Sequence, residues 1–263
     1  MWQNFTLGRY YPGSSWLHRL DPRTKLVLGV TIMAALMWAE AWPVLLLWTV
    51  VMIAVICSTG MPPHIFGKNL RAFLWLFGIT IAIHALTDPA APQVEVWGIS
   101  ISWRGCVTGS KYAVRLALLV LVAALLSFTT IPSDLTEAME RLLKPLRRMR
   151  VPVHEMAFMT ALALCFVPTI VAEAQRIQRA QVSRGARYEG SLLQRLRGLV
   201  PMLVPLFVAV FNRADELAVA LVARCYDSGA PRVAYQELAF ERRDLLATMG
   251  VTGICFLTFL YQS

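Results

Sequence analysis

Five apolar runs, each 16 to 20 residues long, constrain this chain more than any other feature. They cover residues 24–39, 43–58, 70–86, 112–131 and 245–262. At 1.5 Å per residue such helices reach roughly 24–30 Å, close to the hydrocarbon thickness of a bilayer. In lipid the backbone must satisfy its own hydrogen bonds, so the runs are predicted as transmembrane α-helices. Composition agrees: 57% of the residues are hydrophobic and the mean hydropathy is +0.56, above the usual share for a globular domain. Trp38, Trp42 and Tyr261 stand at run ends, where amphipathic rings favour the headgroup zone. Basic residues before Leu26 and the "AEA" at 39–41 have the look of a signal peptide. Further runs follow at once, so we read an uncleaved first span.

Charge is confined elsewhere. Of 41 charged residues, 27 lie between Pro132 and Arg243. The expected organisation is therefore transmembrane helices 1–4 in residues 1–131, a polar helical domain in 132–243, and a last span in 244–263. The N-terminal segment holds Arg9, Arg19, Arg23 and Lys25, and Lys68 and Arg71 follow the second span. The turn at 40–42 has no Lys or Arg. The positive-inside rule then places these basic regions and the central block in the cytoplasm, and the C-terminus outside. Arg104, Lys111 and Arg115 run against that pattern. Arg115 lies within a span, where a central arginine costs about 2.5–3.5 kcal/mol; it should face other helices or a polar partner.

Residues 93–103 alternate apolar and polar around Gly98, which suggests a short β-hairpin. In the central block, 132–150 reads as a helix with Ser133 or Asp134 as N-cap and Glu137 in its first turn. Pro145 interrupts it, and Arg141, Lys144, Arg147, Arg148 and Arg150 form a basic cluster suited to anionic headgroups. Aromatics are not interleaved there, so nucleic acid is not expected as a partner.

Two long helices follow, from about Pro152 to Arg184 and from about Arg197 to Arg224. Each has internal prolines in an apolar half (Pro168; Pro201 and Pro205), which should bend the helix. The apolar halves read as too short for independent spans, so both helices are expected to lie partly along the membrane floor. Ala174 with Ala180, and Ala214 with Ala218, offer small surfaces for a close crossing.

Each long helix ends at an arginine flanked by small residues: Ser183-Arg184-Gly185 and Ala223-Arg224-Cys225. A cation at a helix C-terminus is favoured by the macrodipole, and Gly185 suits a C′ position. That local account suffices for either arginine alone. Repetition argues for more, since both arginines follow a proline-containing apolar helix and precede a tyrosine (Tyr188, Tyr226) within four residues. Arginine's planar fork suits charge-assisted pairing in an acidic groove. Two copies suggest a partner with two similar halves.

These residues resemble a known family: the EcfT transmembrane component of energy-coupling factor (ECF) transporters, related to the CbiQ-type proteins of cobalt importers. The likeness covers nearly the whole chain. "HRLDPRTKL" (18–26), "LTEAMERLLKPLRRMRVPVHEMAFM", "EAQRIQRAQVSRGA", "LVPMLVPLF" and "NRADELAVALVARCY" carry it. The resemblance implies an all-α integral membrane protein, with about five transmembrane helices and long bent cytoplasmic coupling helices. It implies that two Ala-Arg-Gly-like motifs dock into grooves on a pair of ATP-binding-cassette ATPases. A membrane-embedded S component would hold the vitamin or other micronutrient. Carried over by residue, Ser183, Arg184 and Gly185 are the first motif, and Ala223, Arg224 and Cys225 the second. Ser183 replaces a usual Ala, Cys225 a usual Gly, and Cys165 a common Arg. Cys225 puts the second helix's end geometry in question, because Gly adopts αL backbone more cheaply. "LDPRTKL" also has a local reading: Asp21 caps, Pro22 starts the helix, and Arg23 and Lys25 anchor it.

No catalytic, cofactor or metal residues are expected. "GCVTGSK" (105–111) has glycine spacing one short of a phosphate loop and its Ser-Lys order reversed. His18, His64, His84 and His154 are dispersed, and the five cysteines contain no C-x-x-C pair. We therefore expect a non-enzymatic coupling subunit in the cell membrane. Within that reading the chain could serve several S components or be a dedicated cobalt, nickel or biotin subunit; the generic EcfT pattern favours the first. Rival classes are a membrane-embedded lipid-processing enzyme, which would need a convergent acid–base or metal cluster, and a solitary channel or carrier.

Overall fold

The computed structural model of the chain describes residues 11, 13, 15–87, 93–96, 99–145, 152–185, 192–227 and 242–262. Arg9, Gly98, Arg147, Arg148, Arg150 and Tyr188 lie outside them. Among the described residues the fold is all-α apart from one hairpin. The described residues fall into two compact units, one of 11–138 with 242–262 and one of 139–227.

In the first unit, α1 (Pro22–Trp38) begins as its sequence dictates. The Asp21 carboxylate accepts from the Arg23 amide at 2.9 Å, and Pro22 occupies the first helical position. α2 (Trp42–Ser58) returns alongside it. The expected third span is instead broken at Phe73 into α3 (Pro63–Ala72) and α4 (Leu74–Thr87), with a 50° bend. The basic, amphipathic α3 cannot share the lipid exposure of the apolar α4, which explains the break. β1 (Gln93–Val96) and β2 (Ile99–Ser102) pair antiparallel, Gln93 opposite Ser102 and Val96 opposite Ile99. Ser102 then caps α5 (Trp103–Thr129), its hydroxyl accepting from the Gly105 amide. α5 is nine residues longer at its start than the apolar run predicted.

Leu36, Val44, Leu45, Trp48 and Met52 from α1 and α2 pack with Leu118 and Val122 of α5. Met61 and Phe66 pack with Ala124 and Phe128, the two rings edge to face at 5.6 Å. Outward residues such as Leu46, Val50 and Ile53 are exposed and apolar; lipid solvates such a face.

α9 (Arg242–Gln262) completes this unit and runs parallel to α1. The Asp21 amide donates to Asp244 Oδ1 at 2.9 Å. Lys25 Nζ donates to the His18 carbonyl at 3.1 Å and to the Thr129 carbonyl at 3.2 Å. One buried polar knot thus gathers the starts of α1 and α9 and the end of α5. Asp134 lies near enough to attract the Lys25 cation, as do Asp244 and Asp21. At the other end, Arg115 Nη2 donates to the Ala39 carbonyl, and the guanidinium lies 5.0 Å over the Tyr112 ring. The in-span arginine does face a polar partner.

α6 (Pro132–Leu143) starts at Pro132, so Ser133 and Asp134 sit inside its first turn rather than capping it, and Glu137 lies beyond that turn. It gives way before Pro145, as expected. The second unit is built on α7 (Val153–Ser183) and α8 (Leu192–Ala223), which pack together. His154 Nδ1 meets Glu140 Oε1 at 2.5 Å, tying α6 to the start of α7. α8 begins five residues before Arg197, because "LLQRL" is strong helix-forming sequence. Both helices run through their prolines. Each proline removes the amide that would bond the carbonyl four residues back, at Leu164, Arg197 and Pro201. α7 differs from expectation in its apolar length: it is long and apolar enough to cross a membrane, as are α5 and α9. Of the four alanines expected at the crossing, Ala174 is buried while Ala180, Ala214 and Ala218 are exposed.

Candidate functional site

The two arginine motifs are helix ends of one design. Arg184 is the C-cap of α7, and the following Gly185 has φ +88°. Its amide donates to the Val182 carbonyl at 2.9 Å. At α8 the same turn is made by Arg224 and Cys225. Cys225 has φ +55°, the left-handed conformation, and its amide donates to the Val222 carbonyl at 2.9 Å. The Tyr226 amide reaches back to the Leu221 carbonyl at 2.9 Å. These two bonds make a Schellman motif. The end geometry that Cys225 called into question therefore forms, at the cost of a β-carbon in a region that disfavours one.

Ser183, Arg184, Gly185, Ala223, Arg224 and Cys225 are all exposed. Neither guanidinium has a side-chain partner among the described residues. Tyr226 stacks on Phe158, near the start of α7, with ring centroids 4.9 Å apart. The tip of α8 is thereby held near the beginning of α7, whereas Arg184 marks α7's end. From Phe158 to Arg184 is 26 residues, so the two arginine tips are separated by at most about 40 Å along a straight helix. Phe158 was not singled out from sequence; one aromatic on an apolar helix gives no signal of its partner.

Other motifs resolve into structural work. "LDPRTKL" supplies the knot around Lys25. "GCVTG" is a close-packing face. A β-carbon on Gly105 would collide with the His84 carbonyl, and one on Gly109 would lie 2.8 Å from Ile81 Cα. This is the small-xxx-small arrangement that lets membrane helices approach. Beside it, His84 stacks on Tyr112 at 4.7 Å. Among the described residues, no group of three His, Cys, Asp or Glu could hold a metal ion. His18 packs before α1. Its Nε2 lies 3.1 Å from the Tyr11 carbonyl and its Nδ1 2.6 Å from Ser15 Oγ. Burial holds this imidazole below its ordinary value; the Tyr11 carbonyl opposes that shift and the Lys25 cation adds to it.

The family model described as "CbiQ: Cobalt transport protein" matches residues 13–235. The chain belongs to the CbiQ/EcfT family. Full-length relatives bear the description "Energy-coupling factor transporter transmembrane protein EcfT". That of Heliobacterium modesticaldum is 38% identical over 264 residues, covering 100% of this chain and 99% of the relative. That of Ruminiclostridium cellulolyticum is 39% identical, covering 99% and 97%. That of Bacillus subtilis is 35% identical and covers both chains completely. As a CbiQ/EcfT member the chain is a membrane component of an energy-coupling transporter. The knot, the α4–α5 glycine face and both arginine turns are features of this member's own fold.

Proposed function

We propose that this chain couples two cytoplasmic ATP-binding-cassette ATPases to a membrane-embedded, substrate-binding S component of an ECF-type importer. Arg184 and Arg224, with Ser183, Gly185, Ala223 and Cys225, form the ATPase-docking tips. Residues 132–243 act as the cytoplasmic and membrane-interfacial coupling domain, flanked by the spans of 1–131 and 244–263 in the cell membrane. The chain itself performs no catalysis. ATP-driven movement of the ATPases passes through the two tips into α7 and α8, and these tilt or release the S component.

The observation that carries this reading is the pair of exposed guanidiniums without a side-chain partner among the described residues, each at the end of a long helix closed by a left-handed turn. An exposed cation with no side-chain partner among the described residues is available to an acidic groove. The EcfT description of full-length relatives favours a module shared by several S components over a dedicated cobalt subunit.

The test is the double variant Arg184→Ala with Arg224→Ala in the assembled transporter. The variant should insert normally but lose substrate uptake, with ATP hydrolysis no longer linked to it. Each lost interface arginine should weaken ATPase docking by about 2 kcal/mol or more. Undiminished docking and uptake would refute the proposal.

A further inference from the structure

An open hollow of about 450 Å³ lies at the end of α1 and α9 opposite the Lys25 knot, lined by Trp38, Glu40, Ala41 and Tyr261. Its height in the bilayer follows from the helix register. Asp21 and Asp244 meet at 2.9 Å, and Trp38 and Tyr261 each stand 17 residues further along parallel helices. At 1.5 Å per residue that is about 25 Å, close to the ~30 Å of hydrocarbon. With the charged knot at one membrane face, the two rings reach the headgroup level of the other leaflet.

The lining has a defined chemistry. Trp38 and Tyr261 are 72% and 65% exposed, so their rings are open to a ligand. Glu40 is exposed, and its carboxylate has no ion-pair or hydrogen-bond partner among the described residues. The link that presents it is fixed from behind, because Arg115 reaches across from α5 to the Ala39 carbonyl. Two π-faces and one carboxylate at a single hollow suit a cation and repel an anion. At that height the abundant cation is a lipid headgroup's. A primary ammonium also donates hydrogen bonds to the carboxylate and the phenol, which a trimethylammonium cannot do.

We propose that this hollow binds the ammonium of a phosphatidylethanolamine headgroup. The site is separate from the arginine tips and does not depend on the coupling reading. Rings alone would serve as generic interface anchors; the Glu40 carboxylate lining the same hollow makes the site selective.

The experiment is native mass spectrometry of the purified full chain. The protein is delipidated in mild detergent and offered phosphatidylethanolamine, phosphatidylglycerol and phosphatidylcholine with identical acyl chains. Phosphatidylethanolamine should be retained about tenfold over phosphatidylglycerol, the sum expected of a cation–π contact and an exposed ion pair. Glu40→Gln, an exposed substitution, should remove most of that preference without changing the elution volume. Trp38→Leu should lower retention as well. Equal retention of the ethanolamine and glycerol lipids, or an unchanged preference in Glu40→Gln, would overturn the proposal. Retention of phosphatidylcholine equal to that of phosphatidylethanolamine would overturn the primary-ammonium assignment.

Discussion

Tyr226 stacks on Phe158 with ring planes 28° apart, joining the tip of α8 to the first turns of α7. The residue that makes this contact follows Arg224 by two positions, so the stack fixes the direction in which the second arginine turn points. An aromatic pair of this kind contributes about 0.5–1.5 kcal/mol beyond its buried area. Tyr226→Ala should therefore lower the thermal midpoint modestly and reduce uptake per ATP hydrolysed. Tyr226→Phe retains the ring and should restore both. Measuring hydrolysis and uptake together in proteoliposomes separates a loosened tip from a protein that is merely less stable, which would lose both in proportion.

Cys225 and Gly185 occupy equivalent positive-φ positions, but one of them has a β-carbon. The left-handed region costs a non-glycine residue about 1–2 kcal/mol. Part of that is offset by the greater freedom of glycine in the unfolded chain. Cys225→Gly should thus raise stability by about 0.5–1 kcal/mol. Gly185→Ala has open space for its methyl group, so its loss, about 1 kcal/mol, would come from backbone strain alone. Thermal unfolding of the two variants in detergent checks the opposite signs.

What was legible in the sequence follows from the range of the forces involved. The apolar runs, the Asp21-Pro22 helix start and the Gly98 hairpin's strands depend on neighbours within a few residues, and each was anticipated. Arg115 was expected to find a polar partner because an unpaired cation in a span is costly; that the partner is the Ala39 carbonyl, 76 residues away, could not be read. The Asp21–Asp244 bond joins residues 223 apart, and neither position reveals the other. The break at Phe73 was hidden because 70–86 is largely apolar despite Arg71 and His84, and its cause lies in the amphipathic stretch that ends at Ala72. At the arginine motifs the sequence supplied the positions and the strained Cys225. It could not supply the Phe158 stack, which depends on how α7 and α8 pack.

The glycines of α5 give a prediction with a built-in contrast. Gly105 and Gly109 face the backbone of α4 so closely that a methyl group has nowhere to go: Ala85 Cα would be 2.9 Å from the first and Ile81 Cα 2.8 Å from the second. Backbone cannot yield as a flexible side chain can, and such overpacking costs about 1–3 kcal/mol. Gly250 and Gly253 of α9 have no neighbour within 4 Å of the added carbon. Alanine there should be tolerated or stabilising by up to about 1 kcal/mol through helix propensity. Yield and monodispersity on size exclusion should fall for Gly105→Ala and Gly109→Ala and hold for the α9 pair.

His18 gives the chain a pH dependence whose direction is fixed by its surroundings. A carbonyl can only accept, so Nε2 carries the proton toward Tyr11 and Nδ1 accepts from the Ser15 hydroxyl. Protonation must occur at Nδ1, in a partly buried site beside the Lys25 cation, and burial is the larger obstacle. The folded state therefore binds this proton less readily than the unfolded state, whose imidazole titrates near 6.5. The stabilisation is fully present above that pH and is lost as pH falls through the lower folded value. The thermal midpoint of the wild-type protein should decline from pH 7 toward pH 5 more steeply than that of His18→Gln, which has no proton to take up. Parallel declines in the two proteins would show that other groups govern the acid limb.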